Sequence, residues 1–244
     1  MHSSSTAHPE TTVRDGPALQ AVLWDMDGTL VDTEPYWIQG EMELVSQHGG
    51  SWSEEQAEAL VGQSLTFSSR ILQSAGVDLS SRQIIDHLIG HVVRSVRREI
   101  PWRPGARELL AELRAADVPC ALVTMSEKPL AEEIRRQLPD GTFDFLMTGD
   151  MVAQGKPDPE PYRRALELLQ KSNPDAGVDN VVALEDSLPG VTSAQAAGLI
   201  TVGIPHFIPL PEDNGRIHWE TLQGRSVADL QSLVQRRSTI VQVQ

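Results

Sequence analysis

A short apolar run that ends abruptly in acid constrains this chain more than any other feature. Ala21-Val22-Leu23-Trp24 reads as a fully buried strand, and Asp25-Met26-Asp27-Gly28-Thr29 follows it at once. Such a strand carries charge to the edge of a sheet. In open α/β folds that edge, beyond the carboxyl ends of the strands, is where ligands bind. Asp25 and Asp27 stand two residues apart at that edge. A turn at Gly28 can bring both toward one pocket, because glycine tolerates the dihedrals that such a turn needs. Two carboxylates held together without a cation repel, and one of them keeps its proton. The pair therefore implies a divalent metal, acid/base work, or both. Asp-Gly by itself is an ordinary turn signal; the full string directly after a hydrophobic strand is much less common.

The rest of the chain falls into two patterns. From 35 to 100 the signals are helical throughout. Pro35 begins a helix with Ile38, Met42 and Val45 on one face, closed by His48-Gly49-Gly50. Ser53 and Gln56 fit a capping box for a short helix through Val61. Thr66 is expected to cap a third helix that stops near Gly76. A longer one runs from Ser81 to about Ile100, with Ile85, Leu88, Val92 and Val96 aligned. Pro101-Trp102-Arg103-Pro104-Gly105 is a return segment and hinge candidate. Helices and strands then alternate: Ala106–Ala116, strand Cys120–Thr124, Pro129–Leu138, strand Phe143–Met147, Glu160–Gln170, strand Val181–Leu184, Ser187–Ala197, strand Ile200–Gly203 and Ser226–Arg236. The alternation implies a parallel sheet wrapped by helices. The β-branched tail from Ser238 to Gln244 is left unassigned.

Three further sites gather at the strand-end edge. Val123-Thr124-Met125-Ser126 offers a hydroxyl and free backbone N–H groups for a phosphoryl oxygen, although Thr-x-Ser after a strand is more often a cap or turn. Gly155-Lys156-Pro157-Asp158-Pro159 holds one lysine in a constrained position; a lone lysine would ordinarily be a solvated surface group. Leu184-Glu185-Asp186-Ser187 ends a second buried strand in acids, where Asp186 or Ser187 can also serve as an N-cap. Carboxylates from this site that meet Asp25 and Asp27 would make the oxygen-rich environment that Mg²⁺ prefers.

In series, the acid pair, the threonine, the lysine and the second acid pair resemble the four-motif signature of the haloacid dehalogenase superfamily, spread over most of residues 21 to 203. The run from Asp25 to Pro35 is similar to its sugar-phosphatase and β-phosphoglucomutase-like branch, with a helical cap of subclass I. The resemblance implies an α/β fold with a Rossmann-like parallel sheet core, formed by 18–34 and 101–244, and an inserted helical cap formed by 35–100. It implies that Asp25 is the nucleophile, that Asp27 is the general acid and base, and that Thr124, Met125 and Lys156 hold the phosphoryl group. It also implies Mg²⁺ as cofactor, bound by Asp25, Asp27 through its backbone carbonyl, Asp186 and Glu185. The expected activity is hydrolysis of a small phosphorylated metabolite through an aspartyl phosphate.

Asp27 sharpens that choice, because the dehalogenases and phosphonatases of the superfamily lack an acid there. The mutases carry a cap histidine shortly after Asp-Thr-Glu and an arginine after the glycine of the specificity loop. Here the corresponding stretches are Pro35-Tyr36-Trp37-Ile38 and Gly62-Gln63-Ser64-Leu65. A phosphomutase is thus the second reading, and a non-catalytic protein on this fold the third. Tyr36, Trp37, Trp52, Gln63, Ser64 and Phe67 are candidates to line the cleft, with at least half of them expected in the core instead.

Charge and composition narrow the partners. The 244 residues carry a net charge of -14, which argues against nucleic acid and against an anionic membrane surface. It does not argue against a small phosphorylated substrate, since a metal and a lysine reverse the sign locally. No apolar run reaches the length of a membrane span. The polar stretch 1–17 reads as a disordered tail without the apolar centre of a signal peptide, which gives the expectation of a cytoplasmic protein. The one cysteine, Cys120, lies in an apolar run and is expected to be inert and buried. His87 and His91 lie one helical turn apart without a third partner, and Lys128 is expected at the surface. Nothing in the sequence indicates an oligomeric state.

Overall fold

The computed structural model describes residues 17–213 and 215–241, so the tail expected over 1–17 lies, except for Pro17, outside the described residues. Six strands form one parallel sheet. They are β1 (Ala21–Trp24), β2 (Cys120–Val123), β3 (Phe145–Met147), β4 (Val181–Glu185), β5 (Ile200–Gly203) and β6 (Ile217–His218), in the spatial order β3-β2-β1-β4-β5-β6. Alternation along β1 explains why the sheet is covered on both faces. Val22 and Trp24 join one apolar cluster, and Ala21 and Leu23 join another. The first cluster takes in α5 (Ala106–Ala115), α6 (Lys128–Arg136) and α9 (Val227–Val241); the second takes in α7 (Glu160–Ser172) and α8 (Leu188–Ala196). All four side chains of β1 are 0% exposed, as a central parallel strand requires.

Between β1 and α5 the chain makes α1 (Glu34–Gln47), α2 (Glu54–Glu58), α3 (Leu65–Ser74) and α4 (Ser81–Arg98). α4 packs on α1 and α3, and also on α6. The first apolar cluster continues without a break from the sheet into Leu44, Leu72, Ile84 and Leu88. Outgoing and returning chains lie side by side: Val31 pairs with Trp102, Asp32 N–H donates to Pro101 O at 2.7 Å, and Arg103 N–H donates to Leu30 O at 3.0 Å.

Several local expectations shift. α3 is capped by Ser64, whose Oγ accepts from Phe67 N–H at 3.2 Å, and not by Thr66; Ser64 already has the extended backbone of a cap. The buried face of α1 is Trp37, Gly40, Glu41, Leu44 and Val45, so Met42 points outward at 39% exposure. Packing against α4 rotates the face away from the one that hydropathy suggests. α2 does keep its capping box at Ser53 and Gln56, but ends at Glu58. The strand expected from Phe143 begins at Phe145. β6 was not anticipated; two residues carry too little pattern to announce a strand. α9 runs to Val241 through the β-branched segment that had no assignment. There the hydroxyls of Ser238 and Thr239 donate back to Val234 O and Gln235 O, one turn earlier.

Candidate active site

Strand register brings the acids together. Trp24 pairs with Leu184 on one side and with Leu122 on the other, so Asp25 emerges level with Glu185 and next to Val123-Thr124. Asp25 N–H donates to Leu184 O at 3.0 Å and so still belongs to the ladder. The chain then turns. Gly28 has φ +92°, its N–H donates to Val31 O, and the N–H groups of Leu30 and Val31 both donate to Met26 O. A Cβ at Gly28 would lie 2.0 Å from Asp186 Oδ2. The glycine is needed here both for its dihedral and for the approach of the second acid pair.

Asp25, Glu185 and Asp186 each offer an oxygen, and the three atoms lie within 4.8 Å of one another. Lys156 closes the group. Its Nζ lies 2.6 Å from Asp25 Oδ1, 2.6 Å from Glu185 Oε1 and 2.8 Å from Val123 O, which uses all three of its protons. Glu185 is fully buried and also accepts from Tyr162 Oη at 2.6 Å. The side chain of Asp27 stands apart from this group. Thr33 Oγ1 donates to its Oδ1; Ser126 Oγ donates to its Oδ2 at 2.8 Å, and Thr124 Oγ1 to the same atom at 3.3 Å. Any contribution of Asp27 to a shared ion would therefore come from its main chain. Thr124 Oγ1 in turn accepts from Ser126 N–H at 3.0 Å, and Met125 lies between them on the cavity wall.

Charge in the cluster is out of balance: two buried carboxylates and a half-buried one face one ammonium. Burial, then Glu185, push Asp25 from 3.8 to about 7, against the pull of Lys156. Burial, then Asp25 and Glu185, hold Asp186 well above the usual range. Burial alone would lower Lys156, but Asp25 and Glu185 outweigh it and keep the ammonium charged. Asp25 Oδ2 is buried with no hydrogen-bond partner among the described residues. An orphaned carboxylate oxygen, surplus negative charge and an all-oxygen donor set together fit a hard divalent cation such as Mg²⁺.

Above the cluster is a cavity of about 430 Å³. Asp25, Asp27, Thr124, Met125, Lys156 and Asp186 reach its wall; Glu185 lies behind it. Of the candidate cleft residues, Trp37, Gln63 and Ser64 line it. Tyr36 does not, and Trp52 and Phe67 line a separate groove between α2 and α3. Sequence reasoning passed over Ser126, Tyr162, Glu34 and Glu41. Ser126 was visible as the second hydroxyl of Thr-x-Ser; the other three sit in helices, where nothing marks the direction of one side chain. Burial, then neighbouring acids, raise Glu34 to about 8, and burial raises Glu41 to about 7 against a hydrogen bond from Trp52. Cys120 is buried, with its thiol pushed up to about 12 by burial, as an inert core residue should be. Lys128 is exposed, and His91 packs beside Glu43.

Comparison with known proteins points to one family. A family model of haloacid dehalogenase-like hydrolases matches residues 19–198. The phosphorylated carbohydrates phosphatase of Thermotoga maritima is 30% identical over 193 residues, 78% of this chain and 87% of that protein. The N-acetylmuramic acid 6-phosphate phosphatase of Pseudomonas aeruginosa is 32% identical over 213 residues, 82% of this chain and 88% of its own. Among solved structures, CbbY from Rhodobacter sphaeroides in complex with phosphate superposes with a TM-score of 0.77 at 30% identity, covering 87% of this chain and 99% of that one.

Proposed function

The chain belongs to the haloacid dehalogenase-like hydrolases, and from that premise we propose that it is a Mg²⁺-dependent phosphatase of a small phosphorylated metabolite, working through an aspartyl phosphate. The observation that carries the reading is the convergence of Asp25, Glu185 and Asp186 within 4.8 Å, with Lys156 pinned between two of them. Names of relatives support the substrate class: those matched over most of their length act on phosphorylated carbohydrates and on a sugar acid 6-phosphate.

A carboxylate oxygen of Asp25 attacks phosphorus and the ester P–O bond breaks. Asp27 protonates the departing alkoxide, so the alcohol leaves neutral. Asp27, now ionised, removes a proton from water. The water oxygen attacks phosphorus, the P–O bond to Asp25 breaks, and inorganic phosphate and the starting carboxylate remain. Thr33, Thr124 and Ser126 aim the carboxylate of Asp27 at that position. Lys156 fixes Asp25 and offsets charge on the transferring group. Asp25, Asp186 and the main chain of Asp27 would hold Mg²⁺, with Glu185 available to the same cluster. Bound there, the ion would neutralise the carboxylates and stabilise charge on the phosphoryl oxygens. Residues 35–100 act as the cap, since Trp37 and Glu41 of α1 and the segment from Leu60 to Ser68 line the same cavity as Asp25, Asp27 and Asp186.

Pro35-Tyr36-Trp37-Ile38 holds no histidine where the mutases carry one, and Gln63 follows Gly62 where they carry arginine, which leaves hydrolysis as the favoured outcome. The test is phosphate release from p-nitrophenyl phosphate and a panel of sugar phosphates, with and without Mg²⁺. Turnover that needs the metal and disappears in Asp25→Asn supports the reading. Equal turnover in Asp25→Asn, or none of any ester by the wild type, overturns it.

A further inference from the structure

Lys156 is the member of the acid cluster that regular structure supports least. It lies in the segment 152–159, which belongs to no helix or strand, and Gln154, Gly155, Pro157 and Asp158 around it are exposed. Its side chain is nonetheless only 4% exposed, with Nζ held by Asp25, Glu185 and Val123 O. The main chain of the segment is fixed mostly from α7 and α8. Ala153 N–H and Gln154 N–H donate to the carboxylate of Glu160 at 3.0 and 2.7 Å, and Ser193 Oγ donates to Asp158 O at 2.6 Å. Among the described residues, one main-chain hydrogen bond ties the segment to the strand-end loop 124–126: Lys156 N–H donates to Sδ of Met125 at 3.1 Å. The sulfur is seated closely there, since a Cβ at Gly155 would lie 2.7 Å from it. The loop that carries Met125 is pinned in turn, with Gly149 N–H donating to Ser126 O at 3.0 Å.

We infer that the sulfur of Met125 positions Lys156: by accepting Lys156 N–H it fixes the lysine segment against the loop of Thr124 and Ser126, and so sets where Nζ meets Asp25 and Glu185. This is a second duty, separate from the phosphate contact that the resemblance assigns to residue 125. It rests on the phosphatase reading, which gives the lysine its work. A lysine on a flexible four-carbon stem can deliver its charge to many places. Anchored at its N–H and at Nζ, it delivers the charge to one, and catalysis by a placed charge depends on that placement. A thioether is a weak acceptor. The larger effect comes from its loss, because the N–H of Lys156 makes no other hydrogen bond among the described residues.

The test changes the acceptor at a constant branch position. Leucine and asparagine both place an atom on Cγ where methionine has Sδ; in leucine it is a methyl group, in asparagine an oxygen that accepts. The chain has three lysines, Lys128, Lys156 and Lys171, so ¹⁵N-lysine labelling gives three amide signals, and the one absent from Lys156→Arg belongs to Lys156. Met125→Leu is expected to speed exchange of the Lys156 amide with deuterium by roughly tenfold or more, leaving the other two unchanged. With p-nitrophenyl phosphate and Mg²⁺ it is expected to lower kcat by roughly tenfold with little change in KM. Met125→Asn is expected to bring both back toward wild type. Apolar packing alone would give the opposite order, with Met125→Leu near wild type and Met125→Asn impaired, and that result overturns the inference. Unmoved exchange at Lys156 in Met125→Leu overturns it as well. Where all three amides exchange faster in Met125→Leu, the variant is unfolding and Met125→Asn decides: slow exchange at Lys156 with wild-type kcat supports the inference, and fast exchange there overturns it. A wild type that hydrolyses no ester removes the phosphatase reading and this role with it; an active wild type with either overturning result removes this role alone.

Discussion

Glu41 keeps its carboxyl proton to about pH 7, against an ordinary 4.5, because it is buried, with Trp52 pulling the other way. Between those two values the folded chain holds a proton that the unfolded chain has released. This contribution to stability is complete below about pH 4.5 and is lost as pH rises toward 7, by up to about 3 kcal/mol. Glu41→Gln, neutral at every pH, should therefore gain melting temperature relative to wild type at pH 8 and show no such gain at pH 4; parallel melting curves across the range would refute the assignment. Tyr162 gives a second test. Its hydroxyl donates to the fully buried Glu185, so Tyr162→Phe leaves a carboxylate oxygen short of a donor and should cost about 1–3 kcal/mol. A melting temperature unchanged in Tyr162→Phe would count against that contact. Asp25 and Lys156 could be read from the sequence because each chemistry-bearing side chain follows a strand or sits in a restrained loop. Tyr162 and Glu41 could not, since a helix exposes one direction per residue and only the packed neighbours choose it.

At the scale of elements, the site depends on how β1 ends. The ladder aligns Asp25 with Glu185, and the turn at Gly28 then lets Asp186 come within contact of the first acid pair. Gly28→Ala adds a methyl group 2.0 Å from Asp186 Oδ2, at a φ of +92° that alanine rarely adopts. The strained backbone alone should cost about 1 kcal/mol or more. Displacement of Asp186 should lower turnover by roughly tenfold or more, through loss of an acid that the proposed Mg²⁺ site needs. Circular dichroism melts and phosphate release separate the two effects; an alanine variant with wild-type turnover would show that the close approach is dispensable. Strong local chemistry made some of these elements legible beforehand. The capping box at Ser53 and Gln56 formed as read, because both partners lie within one turn. The face of α1 did not, because Trp37 and Glu41 are turned inward by α4 and not by their own hydropathy. The β-branched end of α9 has weak helical propensity, and it remains helical as the continuation of a helix docked on β4 and β5.

Across the whole molecule, alternation of helix and strand indicated a parallel sheet, but the spatial order of the strands is seen only in the structure, since crossover connections leave no local pattern. That order places β1 between β2 and β4, and so sets three carboxylates and one ammonium at the centre of the sheet edge. With a net charge of -14 on the chain, the remaining charge does little to relieve the repulsion. Folding without a divalent ion must therefore carry the cost of holding those acids together, partly by keeping protons on Asp25 and Asp186. An ion that binds only the folded chain returns that cost, by about 2.7 kcal/mol at a hundredfold excess over its dissociation constant. For a chain of this length, that corresponds to a rise in melting temperature of roughly 5–10 °C. Calorimetry in Mg²⁺ against EDTA, with ionic strength matched by sodium chloride, measures it. Asp186→Asn removes one of the crowded acids and, on the proposed reading, one ligand together. It should melt above the wild type in EDTA and gain much less from Mg²⁺. The two shifts run in opposite directions, so general loss of packing cannot imitate them. A wild-type melting temperature indifferent to both Mg²⁺ and EDTA would mean that the acids are reconciled by protons and Lys156 alone.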